Sequence, residues 1–227
     1  MTTRHANLFR FASLAALVWL LAARPFAADQ WPRFRGEAAG SVADDPALPD
    51  RWSETENVAW KIDIPGAGWS SPVVWDDHVI VTATISSEKS PAPHKGLYDP
   101  GDENGKTQSV SEHRWMVYDI DFRTGKIRWQ SELLRARPKV TRHIKNSFAS
   151  ETPVTDGERV YVYFGSIGLV AALDLDGKRI WTAELTAFDG RQGYGMAASP
   201  IIHGDRVIVV NDNATESFIA AFDKRTG

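Results

Sequence analysis

Three stretches of this chain align without a gap: SPVVWDDHVIV (71–81), TPVTDGERVYV (152–162) and SPIIHGDRVIV (199–209). In each, the second apolar run starts seven positions after the proline. Proline biases its predecessor toward extended backbone and is tolerated at the first position of a strand. Pairs such as Asp156-Gly157 and Gly204-Asp205 then turn the chain, so the spacing predicts three β-hairpins. The outgoing runs Val160–Phe164 and Val207–Val210 are apolar on consecutive positions, which predicts strands covered on both faces. A single hairpin cannot bury itself in this way, whereas a stack of repeats can.

A second element follows each hairpin: WMVYDIDFRTGKIRWQSEL (115–133), LVAALDLDGKRIWTAEL (169–185) and FIAAFDKRTG (218–227). Each reads as a strand ending in Asp, followed by a polar turn. In the first two, Gly-Lys opens a further strand whose tryptophan lies four residues after the glycine, from Gly125 to Trp129 and from Gly177 to Trp181. The third copy lacks that strand. An extra copy of it stands near the start, where Trp60 to Ile64 repeats the pattern W-x-x-[DE]-[IL] seen at Trp129–Leu133 and Trp181–Leu185. One repeat is therefore four strands. Four-stranded antiparallel units packed on both faces read as blades of a β-propeller, with a linear stack of sheets as the competing arrangement. An orphan fourth strand is what a closed ring uses to complete its last blade and clasp the chain ends.

The words D-x-x-T-G-K-x-x-W and the Ser/Thr-Pro hairpins resemble the repeat of PQQ-like (pyrrolo-quinoline quinone-like) β-propellers, found in quinoprotein dehydrogenases and in the BamB-type outer-membrane assembly scaffold. The lead-in Trp31-Pro32-Arg33-Phe34-Arg35-Gly36 and the stretch Lys145–Trp181 are similar to exported bacterial proteins of this group. The resemblance implies an all-β partial propeller over residues 58–227, about three of seven or eight blades, after an extended lead-in at 29–57. On it, the chain is expected to be a piece of a longer ring, with Phe218–Phe222 as an unpaired sheet edge. It also implies that Trp60, Trp129 and Trp181 dock between blades against the adjacent turn, with Gly125 and Gly177 in those turns. Burying such a ring removes about 150–250 Å² from water, an upper bound of about 4–6 kcal/mol each.

Residues 1–28 differ from the rest. Arg4 and Arg10 precede the run Phe11–Ala23, and Ala27-Ala28 stand before Asp29, the pattern of an export signal. The run is shorter than the roughly 20 residues a membrane-spanning helix needs. Removing the segment takes away three arginines and no acid, moving the formal charge from -3 to -6. So acidic a mature protein has no general attraction to nucleic acid. With no cysteine, disulfides, thiolate chemistry and a lipid-modified cysteine anchor are all excluded.

Signals for chemistry are sparse. His78, His94, His113, His143 and His203 never fall in metal-ligand pairs, and His78 and His203 are expected to be solvated in hairpin turns. A polar insertion at 86–112 contains DPGDENGK, but aligning Gly105 with the sixth position of a calcium loop puts Pro100 first and Ser111 twelfth, where carboxylates are needed. No nucleophile elbow, phosphate loop or dinucleotide fingerprint is present. Trp69, Lys145, Asn146, Glu151 and Tyr194 stand just before the hairpins. In the resembled family such loops border the central channel, so these residues form the candidate ligand or partner face.

The expectation is an exported, non-catalytic scaffold or binding propeller of the bacterial cell envelope. It takes a protein or envelope partner and no cofactor. The alternative is a quinoprotein oxidoreductase holding PQQ with calcium, although the vicinal disulfide many such enzymes place against the quinone cannot exist here.

Overall fold

The computed structural model describes residues 30–37, 40, 48–88, 106–107 and 109–227. The export signal expected at 1–28 and most of the insertion at 86–112 lie outside the described residues.

The chain forms a partial β-propeller of three antiparallel sheets. Blade one takes β1 (Val73–Trp75), β2 (His78–Ser86) and, after the short strand β3 (Lys106–Thr107), β4 (His113–Asp121) and β5 (Ile127–Ala136). Its strand order is β1-β2-β4-β5, and β3 pairs instead with β6 (Arg142–His143). Blade two is β7 (Val154–Thr155), β8 (Arg159–Phe164), β9 (Leu169–Asp174) and β10 (Arg179–Glu184), in meander order. Blade three is β11 (Ile201–His203), β12 (Arg206–Asn211) and β13 (Phe218–Asp223), three strands with β13 at the edge.

Period-two alternation divides each strand between two interfaces. In β8, Val160, Val162 and Phe164 face blade one, where Val73, Ile80, Trp115, Val117 and Leu133 complete the core. The intervening Tyr161 and Tyr163 face blade three and pack with Trp181, Val207 and Val209. Blade two is thus buried on both sides, which explains its consecutive apolar run. Blade three departs from the expectation. In β12, Val207 and Val209 are buried but Val210 is exposed, because no further sheet covers that face among the described residues.

The turn after the third strand of each blade is built one way. Asp121 Oδ1 accepts from the amides of Arg123 and Thr124 and from the Thr124 hydroxyl, at 2.8–3.1 Å. Those bonds hold its carboxyl down at about 2. Asp223 repeats the arrangement with Arg225 and Thr226, and Asp174 with Asp176 and Lys178. A glycine with positive φ closes each turn: Gly125 (68°), Gly177 (82°) and Gly227 (79°).

Each of these glycines is the floor for an indole. A Cβ at Gly125 would lie 2.6 Å from the Trp60 ring, at Gly177 2.5 Å from Trp129, and at Gly227 2.8 Å from Trp181. The indole N–H groups donate to carbonyls of the same turns: Trp60 to Phe122 (2.7 Å), Trp129 to Leu175 (2.8 Å) and Trp181 to Lys224 (3.0 Å). Each of these three tryptophans belongs to the element preceding the blade it touches.

Two expectations need correction. Residues 58–64 form no strand: the blade edge such a strand would join is not beside it, and Trp60 and Ile64 pack instead against the far face of blade one. His78 is not a solvated turn residue. It opens β2, and its Nδ1 lies 2.7 Å from Oδ2 of the fully buried Asp119. Burial raises the Asp119 pKa despite that contact. His203, in contrast, is exposed.

Gly177→Ala adds a methyl group to a left-handed position and into an indole, and should lower unfolding free energy by about 3 kcal/mol in urea denaturation. Gly204 has a positive φ (56°) with nothing within 4 Å of its Cβ position, so Gly204→Ala should cost only the backbone strain, about 1–2 kcal/mol. Equal losses would show that the ring contact contributes nothing.

Candidate functional site

The segments that enter the hairpins meet at the inner end of the blades, and a hydroxyl ladder fixes their spacing. The Ser71 amide donates to Thr152 Oγ1 (3.0 Å), and the Thr152 amide donates to Ser199 Oγ (2.9 Å). These are the Ser/Thr residues of the three Ser/Thr-Pro words, and the hydroxyls of Thr152 and Ser199 each join their hairpin to the one before. The backbone adds Trp69 N to Ala149 O at 3.0 Å.

Above the ladder lies a cavity of about 520 Å³. Its walls include Phe34, Trp69, Lys145, Thr152, Tyr194 and Ser199. Three of the rings keep much of their surface in solvent, Trp69 at 58%, Phe34 at 48% and Tyr194 at 43%. A neighbouring cavity of about 470 Å³ shares Trp69 and Asn146 and is bordered by Glu88, His113 and Arg142. Arg142 lies over the Phe148 ring at 5.2 Å, and Glu88 Oε1 accepts from Ser109, Val110 and Ser111.

The five residues singled out in the sequence occupy different situations. Trp69, Lys145 and Tyr194 line the larger cavity, with the Lys145 side chain exposed. Asn146 also borders it, but its amide is committed to the frame: Nδ2 donates to Tyr194 O (2.7 Å) and Met196 O (3.3 Å), and Oδ1 accepts from Ser147 N (2.7 Å) and from the Ser150 hydroxyl. Asn146 therefore holds the Tyr194 segment against the 142–150 loop. His143 supports the same junction, its ring edge-on to Tyr194 at 5.2 Å and its Nδ1 accepting from Lys145 N at 3.0 Å.

Glu151 is not on the surface of the mouth but inside its wall, 2% exposed. Oε1 accepts from Gly165 N at 2.9 Å, while Oε2 has no hydrogen-bond partner. Burial pushes its carboxyl up to about 7. The hydroxyl ladder and Phe34 carry no chemical signature in the sequence. The recurrence of Ser or Thr before all three prolines was the available sign, since proline alone explains the strand start but not the hydroxyl.

Residues 51–227 match the model of the PQQ-repeat family described as outer membrane protein assembly factor BamB. The chain belongs to this family. A solved structure of BamB from Moraxella catarrhalis is similar at 17% identity, over 74% of this chain and 65% of that one, with a TM-score of 0.24. The match thus spans less than two thirds of that relative's length. A search of the curated proteins finds no match.

Among the described residues no group of three or more His, Asp or Glu could hold a metal ion. The Glu151 carboxyl is enclosed in the wall, and the Asn146 amide is spent on neighbouring backbone. Nor, among the described residues, is any helix long and apolar enough to cross a membrane.

The buried acid makes stability depend on pH in a defined direction. Below pH 4.5 both folded and unfolded chains hold the Glu151 proton. Above it the unfolded chain releases that proton while the folded one retains it, so stability falls as pH rises from about 4.5 to about 7, then levels off. The fall is on the order of 3 kcal/mol. Glu151→Gln should remove this component, so the wild-type minus variant difference in urea unfolding should slope across that window. A flat difference would place the charged carboxylate in a solvated site.

Proposed function

We propose that this chain acts as an exported, non-catalytic binding module of the cell envelope, whose mouth takes up a segment of a partner protein. Membership of the BamB family supports a binding or scaffold role at the level of the fold. The observation that carries the reading is the group of three half-exposed rings, Phe34, Trp69 and Tyr194, around one cavity.

Such rings are costly to leave in water and offer large rigid contact area with little rotamer entropy to lose, which is why tryptophan and tyrosine dominate binding hot spots. Their backbone is held by the hydroxyl ladder and by Asn146, so little ordering cost is left for binding. Lys145 adds an exposed cation at the rim, suited to an acidic or C-terminal carboxylate on the partner. Among the described residues around this mouth, Asn146, Thr152 and Ser199 bond to neighbouring backbone and are committed to the frame.

A photo-reactive residue at exposed Ala197, which lines the cavity, should yield a discrete adduct with an envelope protein in cells making the full chain. Trp69→Ala with Tyr194→Ala should reduce that adduct at least tenfold, as loss of about 2 kcal/mol or more of hot-spot contact requires. Fractionation should find the protein outside the cytoplasm, shortened by the leader. An adduct insensitive to both substitutions, or dye reduction on adding the quinone with calcium, would overturn the reading.

A further inference from the structure

The cavity of about 470 Å³ that shares Trp69 and Asn146 with the mouth has a chemistry of its own. It lies between residues 66–69, which lead into blade one, and the 142–148 loop, beside the end of β2 and the start of β4. Trp69, Ile85, Ile144 and Phe148 give it apolar walls, and Glu88 and Arg142 stand beside them. Its uncharged polar side chains are largely committed. Thr84 Oγ1 donates to Ala67 O (3.3 Å), Ser147 Oγ pairs with Ser150 Oγ (2.9 Å), and the Asn146 amide holds the Tyr194 segment.

Arg142 is different. Its hydrogen bonds run through Nη1 alone, to His143 O at 3.4 Å and Asn146 O at 3.0 Å, so among the described residues the Nε–Nη2 edge has no acceptor. Burial holds the guanidinium pKa below its ordinary value, against the attraction of Glu88. The guanidinium carbon lies 5.2 Å from the centre of the Phe148 ring. That ring is itself pinned: it is 3% exposed, edge-on to His113 at 5.1 Å, and its backbone carbonyl accepts the Trp115 indole N–H at 3.0 Å. Burial also keeps the His113 pKa below its ordinary value, so Arg142 is the cation of this cavity at neutral pH.

We propose that this cavity binds a single carboxylate on the Nε–Nη2 edge of Arg142, with the apolar body that carries it against Trp69, Ile85 and Ile144. Two parallel N–H groups match the two oxygens of a carboxylate, and a guanidinium held by two carbonyls over a fixed ring has little freedom left to lose. Glu88 limits the charge the site accepts. Its Oε1 accepts from the Ser109 hydroxyl and the amides of Val110 and Ser111 at 2.7–3.1 Å. Burial opposes its ionisation, but those bonds prevail and hold its carboxyl below the ordinary range. One guanidinium beside one fixed carboxylate suits a monoanion and disfavours a dianion such as phosphate. A small free acid and the C-terminus of a polypeptide offer the same chemistry. The site stands apart from the mouth, since Ala197 and Tyr194 line the other cavity and not this one.

Calorimetry on the full chain tests this with two acids, 3-phenylpropionate and the free-acid tripeptide Gly-Gly-Phe, each against its own amide. At least one acid should bind, and its amide should bind at least tenfold more weakly. Preference for the tripeptide identifies a chain terminus as the ligand, and preference for phenylpropionate identifies a small free acid. Arg142→Lys keeps the charge but not the planar fork, and should weaken the acid at least tenfold. Glu88→Gln keeps an acceptor for the Ser109–Ser111 bonds and removes the neighbouring negative charge. It should tighten the acid about two- to fivefold, a gain that misfolding cannot produce. Equal binding of acid and amide, no binding of either acid at millimolar concentration, inorganic phosphate binding as tightly as the acid, or no gain in Glu88→Gln would overturn the proposal.

Discussion

An indole ring resting on a glycine is the contact from which the rest of this structure follows. The glycine must have positive φ, so that the turn folds back flat, and must lack a Cβ, so that the ring can reach within van der Waals distance of the backbone. The indole N–H then satisfies a turn carbonyl that would otherwise face water or nothing. Three interactions, apolar burial, backbone conformation and a hydrogen bond, thus depend on one pair of residues. Because the tryptophan always comes from the preceding element, the pair links one blade to the next. Trp60, Trp129 and Trp181 together set the direction in which blades accumulate.

The inner end of the blades is held by a different device. There the hydroxyls of Thr152 and Ser199 take up amides of the hairpin before, so the mouth is spaced by hydrogen bonds while the outer rim is spaced by aromatic area. Between them lies the core, where β8 divides its valines and tyrosines between two neighbours. Fixing both ends leaves the entering loops little freedom to move relative to one another. Side chains that project from those loops, Trp69, Lys145 and Tyr194, are presented on a rigid frame, whereas Asn146 and His143 are consumed in making it rigid.

Much of this was legible in the sequence because repetition converts weak local signals into strong ones. Proline, the Asp-Gly pairs and the four-residue step from glycine to tryptophan each recur, and the strands fall where those words place them. What repetition could not reveal is context. Val207–Val210 carries the same apolar word as Val160–Phe164, yet among the described residues only blade two has a sheet on each side, so the same pattern is buried in one place and half exposed in the other. Residues 58–64 carry the word of a strand without a sheet to join. His78 looked like a turn residue because the carboxylate that contacts it, Asp119, is 41 positions away. Glu151 sits two residues before Pro153, a position taken by Ser70 and Ala198 in the other copies, and nothing local shows that its carboxyl is enclosed.

That departure from the repeat says something about how the mouth was built. A carboxyl raised to about 7 costs stability at neutral pH, and Ser70 and Ala198 show that the position does not require an acid. The Glu151 bond to Gly165 N ties the mouth loop to the strand connection of blade two, where Gly165 also lies against Met196 of the following segment. A neutral side chain of the same length could make that bond without the ionisation penalty. The acid therefore costs global stability while its Oε1 ties the loop that carries Lys145 and Asn146 to the connection after β8. Glu151 differs in its setting from Asp119, whose carboxyl, also raised by burial, lies beside His78 in the interior of blade one, away from both cavities.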